Sequence, residues 1–495
     1  MGESFSNSSD YQSSLQDATG VIAHDYGAWL QERNNQQNNQ KASQQPNQPI
    51  SQNLSNLGLG GLEFGGGKLP HCIVFPETTT QLAAVMSHCA AQGWRVLPCG
   101  NGTKLDWGGV VHHCDVLIST ARLNQIVEHC VGDLTVTAAA GVRFADLQQT
   151  LGKAGQFWAV DPVYGTEATI GGILATADTN ALRQRFNSVR DMVLGIEFVR
   201  ADGAISHGGG RVVKNVAGYD LMKLLTGSYG TLGIITQATL RLYPVLGSAK
   251  TLLITGKWQN LAELRRLVAR SGLSPVVTAL VNSQILALWQ GSGFDHSAAL
   301  AGIPSGMSSG MVVQFAGLAT SVTQQQEQLA ALAKAQDLTA VPLDYDDQAS
   351  LTEYLHQVIW QPDQSADSAS HGIWCKVGML PEQIGLVMQQ WETLFGRDGY
   401  RALVNSGSGL GTLYIQGDFV ANQDLATMAK LLLQARAQTT AAEGFLTILR
   451  APIACKQGVE PWGYGDTMAM MRQIRQKFDP QGLLSYGRLF AETKA

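Results

Sequence analysis

The sequence predicts an α+β protein of two domains behind a separate N-terminal segment. Three observations carry this. Strand and helix patterns alternate from about Pro70. After Pro244 the texture changes to longer strand-like runs separated by longer helical stretches. A neutral Gln/Asn-rich stretch sets the first 33 residues apart from both.

In chain order, residues 1–33 are expected to hold a short helix around Val21–Leu30. Residues 34–67 begin with Asn34–Gln40 and end in the glycine-rich Gly58–Gly67. With little to bury, they read as a disordered linker and spacer. The folded body is expected to start near Pro70, so removal of residues 1–60 should leave cofactor content unchanged. Thr80–Gln92 carries Leu82, Val85, Met86 and Cys89 at helical spacing, with Gly93 as the C-cap. Arg95–Leu97, Asp115–Ser119 and Leu134–Ala138 read as strands. Phe144–Lys153 reads as a helix with Phe144, Leu147 and Leu151 on one face. Val193–Arg200 and Ala204–His207 form an expected hairpin around Asp202-Gly203, a favoured turn pair. Alternation at Ala238, Leu240 and Leu242 marks a half-buried strand. Residues 68–245 are therefore taken as the first domain.

The second domain is taken as residues 246–465. Its expected strands are Thr251–Ile254, Val276–Val281, Met311–Phe315, Ile373–Val377, Leu413–Gln416 and Leu446–Leu449. Its expected helices are Leu261–Arg270, Thr323–Ala335, Glu382–Leu394 and Asp424–Ala437. Residues 466–495 supply a last helix, Thr467–Lys477, and a tail.

Composition narrows the function. The chain has 495 residues and a formal net charge of −5, which argues against a nucleic-acid binder. No apolar run approaches the roughly 18 residues that span a bilayer. The N-terminus lacks the apolar core of a secretory signal, so a cytoplasmic location is expected, at most peripheral to a membrane. Seven cysteines without a Cys-x-x-Cys pair predict free thiols and no metal site. Glycine is abundant, at 54 residues, and charged residues make up only 15%. The first fits backbone that turns sharply or approaches a ligand closely. The second fits either the neutral linker or a surface covered by a partner.

Walker and dinucleotide glycine motifs fail on inspection. Gly67-Lys68 is followed by Leu69, and Gly100-Asn101-Gly102 continues as Thr103-Lys104-Leu105. Three other glycine-bearing segments stand out in the first domain. Pro98-Cys99-Gly100-Asn101-Gly102-Thr103 directly follows a strand, and consecutive amides there suit an anion nest. Thr169-Ile170-Gly171-Gly172 precedes an Ala-rich stretch. Gly227–Thr236 contains Gly233, Ile234 and Ile235 and leads into a strand. Each alone also fits a plain turn.

Together, with Ser188–Gly195 between them, these segments resemble the FAD-binding domain of PCMH-type (vanillyl-alcohol-oxidase-like) flavoproteins. Val213–Leu221 and the closing Phe478–Arg488 resemble the FAD-binding E subunits of glycolate oxidase complexes. The resemblance implies two α+β subdomains holding FAD and an α+β cap domain with an antiparallel sheet. It implies that Cys99, Gly100, Asn101, Gly102 and Thr103 hold the pyrophosphate through backbone N–H groups, with Pro98 beside them at the cofactor. Thr169, Gly171 and Gly172 would lie along the phosphates and ring, and Gly233, Ile234 and Ile235 would offer main-chain groups. Thr103 stands where some relatives carry a covalently linked histidine, so non-covalent FAD is expected.

The resemblance further implies glycolate oxidation to glyoxylate, or oxidation of another small 2-hydroxy acid. The implied partners are a catalytic flavoprotein subunit and an iron–sulfur subunit. Catalytic residues stay unassigned. Val404–Leu413 has neither the histidine nor the acid of catalytic relatives, and the reaction needs a base and a carboxylate-binding cation. Arg450 and Arg488 read first as structural donors, Lys104 as either a helper at the pyrophosphate or a solvated residue, and Tyr219-Asp220 as helix-start residues. A stand-alone D-2-hydroxy-acid dehydrogenase and a non-catalytic scaffold subunit are the alternative readings.

Overall fold

The computed structural model describes residues 7–29, 31, 69–210, 218–291, 309–343, 355–360 and 372–490. The expected linker 34–67 and most of the Val213–Leu221 motif lie outside them. The chain divides into two units. One comprises Met1–Asp178, Ser188–Pro244 and Tyr464–Ala495; the other comprises Thr179–Asn187 and Val245–Gly463.

The first unit begins earlier than the sequence suggests. Helix α1 (Ser8–Thr19) is capped by the Asn7 side chain, which accepts from the Asp10 amide, and stops at Gly20 in the left-handed conformation. Strand β1 (Ala23–Asp25) then pairs antiparallel with β2 (Cys72–Val74). The expected helix around Val21–Leu30 is thus replaced in part by a strand. The physical reason is non-local, because β1 forms against a partner almost fifty residues away. Tyr11, Leu15, Val21 and Ala23 join one core cluster with Leu82, Val85, Met86 and Cys89 from Thr79–Gln92. The folded body therefore includes the N-terminal segment rather than starting near Pro70.

Strands β3 (Val96–Cys99) and β4 (Val116–Ser119) complete a four-stranded sheet ordered β1-β2-β4-β3. The β2–β4 and β3–β4 pairs are parallel. A second, antiparallel sheet runs Ile126–Cys130, Thr135–Ala139, Ile234–Arg241, Val193–Val199 and Ile205–Gly209 in spatial order. The Asp202-Gly203 hairpin forms as expected: Asp202 accepts from the Ala204 amide and Gly203 has φ 85°. The C-terminal helix Thr467–Phe478 and its tail belong to this unit, and Val96 bridges Leu484.

The second unit is an eight-stranded antiparallel sheet among the described residues. Trp258, Leu261, Leu264 and Val268 follow helical spacing along Trp258–Arg270 and face the sheet core, as do Ile384, Val387, Met388 and Trp391 of Ile384–Phe395. The inward strand positions alternate, with Ile373, Cys375 and Val377 in the core. Tyr400–Asn405 is a strand that the sequence reading missed, and it pairs with Leu410–Ile415.

Candidate functional site

The site lies within the first unit, where three loops and the C-terminal tail enclose a cavity of about 670 Å³, its open mouth included. That is the size range of small-molecule and cofactor pockets. The first wall is the segment leaving β3: Pro98, Cys99, Gly100, Asn101, Gly102, Thr103, Lys104 and Leu105. The second is Thr169, Gly171, Gly172, Ala175 and Thr176. The third is Tyr229, Gly230, Gly233, Ile234 and Ile235, and Arg488 comes from the tail. All twelve residues singled out in the sequence therefore border one cavity.

The local chemistry explains how these segments hold their shape. The loop after β3 is fixed from outside the cavity. Ser119 donates to the Gly100 carbonyl at 3.0 Å, Thr120 to the Cys99 carbonyl at 3.2 Å, and Asn101 to the Glu167 carbonyl at 2.8 Å. The carbonyls of Cys99 and Gly100 are thereby partnered. By contrast, among the described residues the backbone amides of residues 100–104 donate no hydrogen bond. A run of unsatisfied amides at a cavity wall is costly unless an anion or water accepts from them.

Thr169 caps the helix Ile170–Thr176 by accepting from the Gly172 amide at 3.3 Å. Glycine is required where these walls meet. A Cβ at Gly100 would collide with the Thr169 side chain, and one at Gly171 would stand 2.8 Å from the Ala140 Cβ. Gly230, at φ 71°, packs its Cα against Pro98, so a Cβ there would reach 2.7 Å from the proline ring.

Among the described residues two cations, Lys104 and Arg488, and no carboxylate stand in the cavity wall. Of the two readings the sequence left for Lys104, a helper at the pyrophosphate or a solvated residue, the solvated one does not hold. Lys104 is 6% exposed and forms an ion pair with the equally buried Asp178. Asp178 also accepts from the Val163 amide at 2.9 Å. The Arg488 guanidinium donates to the Lys104 carbonyl and lies 5.7 Å from the Tyr229 ring centroid. Burial lowers its pKa from the ordinary arginine value, opposed by the fields of Tyr229 and Asp106.

The remaining residues weighed for catalysis are not among the described wall residues. Asn405 accepts from the amides of Gly407 and Ser408 at 3.0 and 2.9 Å and so shapes the turn inside Val404–Leu413. Arg450 lies 5.0 Å from the Trp374 ring centroid. Tyr219 is 91% exposed, and Asp220 pairs with Lys223 at 2.8 Å at the start of Leu221–Leu225. Among the described residues no cluster of three or more His, Cys, Asp or Glu could hold a metal. All seven cysteines are free thiols, and no described helix is long and apolar enough to cross a membrane. The sequence reading missed Leu105, Thr120, Ala175, Thr176, Tyr229 and Gly230 as wall residues; Tyr229 and Gly230 sat inside the glycine segment it had marked.

Comparison with known proteins agrees with this geometry. Residues 70–209 match the family model described as an FAD binding domain. Glycolate oxidase subunit GlcD of Bacillus subtilis is 28% identical over 276 residues, covering 55% of this chain and 57% of that one. Glycolate oxidase subunit GlcE of Escherichia coli is 40% identical over 120 residues, covering 24% of this chain and 34% of that one. The chain thus matches well under two thirds of either relative. Among solved structures, 4-ethylphenol oxidase from Gulosibacter chungangensis shares the fold, with a TM-score of 0.66 at 14% identity, covering 87% of this chain and 91% of that one. Residues 70–209 are a PCMH-type FAD-binding domain, the cofactor-holding portion of FAD-dependent oxidoreductases.

Proposed function

We propose that the chain is the FAD-binding subunit of a glycolate oxidase complex, of the E type. Its cavity would bind FAD non-covalently, and the complex would oxidise glycolate, or a related small 2-hydroxy acid, to the keto acid. The observation that carries the cofactor reading is the run of unpartnered amides at residues 100–104 in a carboxylate-free, glycine-lined wall. That donor set suits a diphosphate. Gly100, Gly171 and Gly172 leave room for the cofactor's close approach, and Ile234 and Ile235 offer an apolar wall with main-chain groups. Thr103 has no nucleophile suited to flavin attachment, which supports the non-covalent reading. Bound FAD would supply the hydride-accepting chemistry.

The subunit reading rests on the matches to two glycolate oxidase subunits and on the Val404–Leu413 turn. Its Asn405 is engaged with backbone amides rather than presented as a base. A catalytic flavoprotein and an iron–sulfur protein are the proposed partners, and the proposed place of assembly is the cytoplasm. The test is a visible spectrum of the purified chain before and after anaerobic glycolate. Flavin bands that persist until a partner flavoprotein is added support the proposal. Bleaching by glycolate or D-lactate with the chain alone would make it a stand-alone dehydrogenase. Absence of flavin after incubation with FAD would make it a scaffold.

A further inference from the structure

We propose that Tyr229 is a recognition residue of the same cavity and packs against one aromatic ring system of the dinucleotide, the isoalloxazine or the adenine. This rests on the FAD reading and adds a residue to it. Tyr229 is the one aromatic side chain among the described wall residues, most of which are glycine, threonine or aliphatic. Its backbone stands at φ 53°, in the left-handed region. That conformation is strained for a bulky residue and open to glycine. The same turn follows this rule at two other positions, with Gly227 at φ 83° and Gly230 at φ 71°. A tyrosine held there between two glycines calls for a reason in its side chain, and strain of this kind gathers at binding sites.

The surrounding backbone over-determines the turn. The Tyr229 amide donates to the Ala175 carbonyl at 2.8 Å and the Gly227 amide to the Leu174 carbonyl at 2.9 Å, which fastens the turn to the helix Ile170–Thr176. The Ser485 hydroxyl faces the carbonyls of Tyr229 and Gly230 at 3.2 and 3.1 Å, and the Ser485 amide donates to the Val96 carbonyl at 2.9 Å. Thr231 donates to the Ser228 carbonyl through its amide at 3.0 Å and its hydroxyl at 2.7 Å. The aromatic side chain is therefore carried on a frame that joins two cavity walls and the C-terminal tail. Burial, with Tyr464 nearby, raises the Tyr229 pKa well above the ordinary tyrosine value, against the opposing field of Arg488, so the phenol stays neutral. A neutral aromatic of fixed position suits a flat ring, and such stacking strengthens binding by about fivefold or more per ring.

The experiment titrates wild-type, Tyr229→Phe, Tyr229→Leu and Tyr229→Gly apoproteins with FAD, with riboflavin and with ADP. Riboflavin carries the isoalloxazine without phosphate or adenine, and ADP carries the adenine and diphosphate without the flavin. Thermal midpoints of the apoproteins are taken alongside. Y229F should bind FAD within about twofold of wild type, whereas Y229L should lose about fivefold or more. In Y229L one fragment, the one whose ring meets Tyr229, should lose by the same factor while the other holds within about twofold. Equal losses for riboflavin and ADP would mean a reshaped cavity, and unchanged FAD affinity in Y229L would mean packing against the tail alone; either overturns the assignment. If Y229L does not fold, Y229G decides by the same criteria, because glycine adopts this backbone conformation without strain. Failure of the wild-type chain to bind FAD at all would instead remove the cofactor reading itself.

Discussion

Gly100→Ala probes the junction on which the candidate site depends. The added Cβ would stand 3.0 Å from both Cβ and Cγ2 of Thr169, and nearer still to Oγ1. Rotating Thr169 moves Oγ1 and Cγ2 but not its Cβ, so the clash is only partly relieved. Overpacking of this kind costs about 1–3 kcal/mol. If Thr169 turns away, the Gly172 amide also loses its cap, at about 1 kcal/mol. The single substitution should therefore cost about 2–4 kcal/mol. Thr169→Ala alone should cost about 1 kcal/mol through the cap. The double variant should be less damaged than the sum, because Thr169→Ala clears the nearest atoms. A favourable coupling of about 1–2 kcal/mol is expected. Urea unfolding of the four apoproteins measures it. Additivity within about 0.5 kcal/mol would refute the claim that the loop after β3 and the start of Ile170–Thr176 press on each other at this point.

Four further outcomes follow from the same structure. Lys104→Met should cost about 3–5 kcal/mol, since it leaves the Asp178 carboxylate buried without its cation, and a Lys104→Met/Asp178→Leu pair should recover part of that in thermal melts. Leu15→Ala, at a fully buried position of α1, should cost about 2–5 kcal/mol by urea unfolding, and removal of residues 1–31 should lower the thermal midpoint rather than leave the protein unchanged. Six of the seven thiols are buried, and hydrogen bonding to Glu128 raises the pKa of the seventh, Cys130; a disulfide-exchange reagent at pH 8 should thus titrate at most one thiol in the native protein and seven in urea. Burial, with Asp115 nearby, pushes Tyr11 up to about 12, and burial does the same to Cys72. Both folded values lie above the ordinary ones, so their stabilisation is whole below about pH 9 and is lost as pH rises through 12; Tyr11→Phe should move the alkaline unfolding midpoint upward.

Much of the fold was legible because its signals are local. Thr79–Gln92 announces itself through Leu82, Val85, Met86 and Cys89 and through Gly93, which adopts φ 69° as a helix-ending glycine should. The Asp202-Gly203 turn was equally readable. What escaped notice was set by partners distant in sequence. In α1 only Tyr11 and Leu15 are buried, so its periodicity is faint, and β1 exists only because Cys72–Val74 offers an edge. Tyr400–Asn405 was hidden by Arg401 and Asn405, polar residues that the sheet nevertheless buries.

The candidate site divides along the same line, and the division bears on where its chemistry comes from. Backbone-donor loops are legible because glycine is conspicuous wherever two walls meet, as at Gly100 against Thr169 and at Gly171 against Ala140. The charges are not legible. Lys104 reads as a surface lysine until Asp178, seventy-four residues on, is folded against it, and Arg488 reads as a tail residue until Ser485 and Gly109 fix its backbone beside the loop. A glycine pattern therefore locates the cavity. The sign and strength of its field are decided by long-range contacts, so two chains sharing the loops could still differ in how tightly they hold the cofactor. On that argument, the C-terminal tail should govern cofactor retention more than substitutions on the exposed face of the loop. Exchange of the tail from residue 479 onward between related chains would show it as a change in FAD affinity with the loops unaltered.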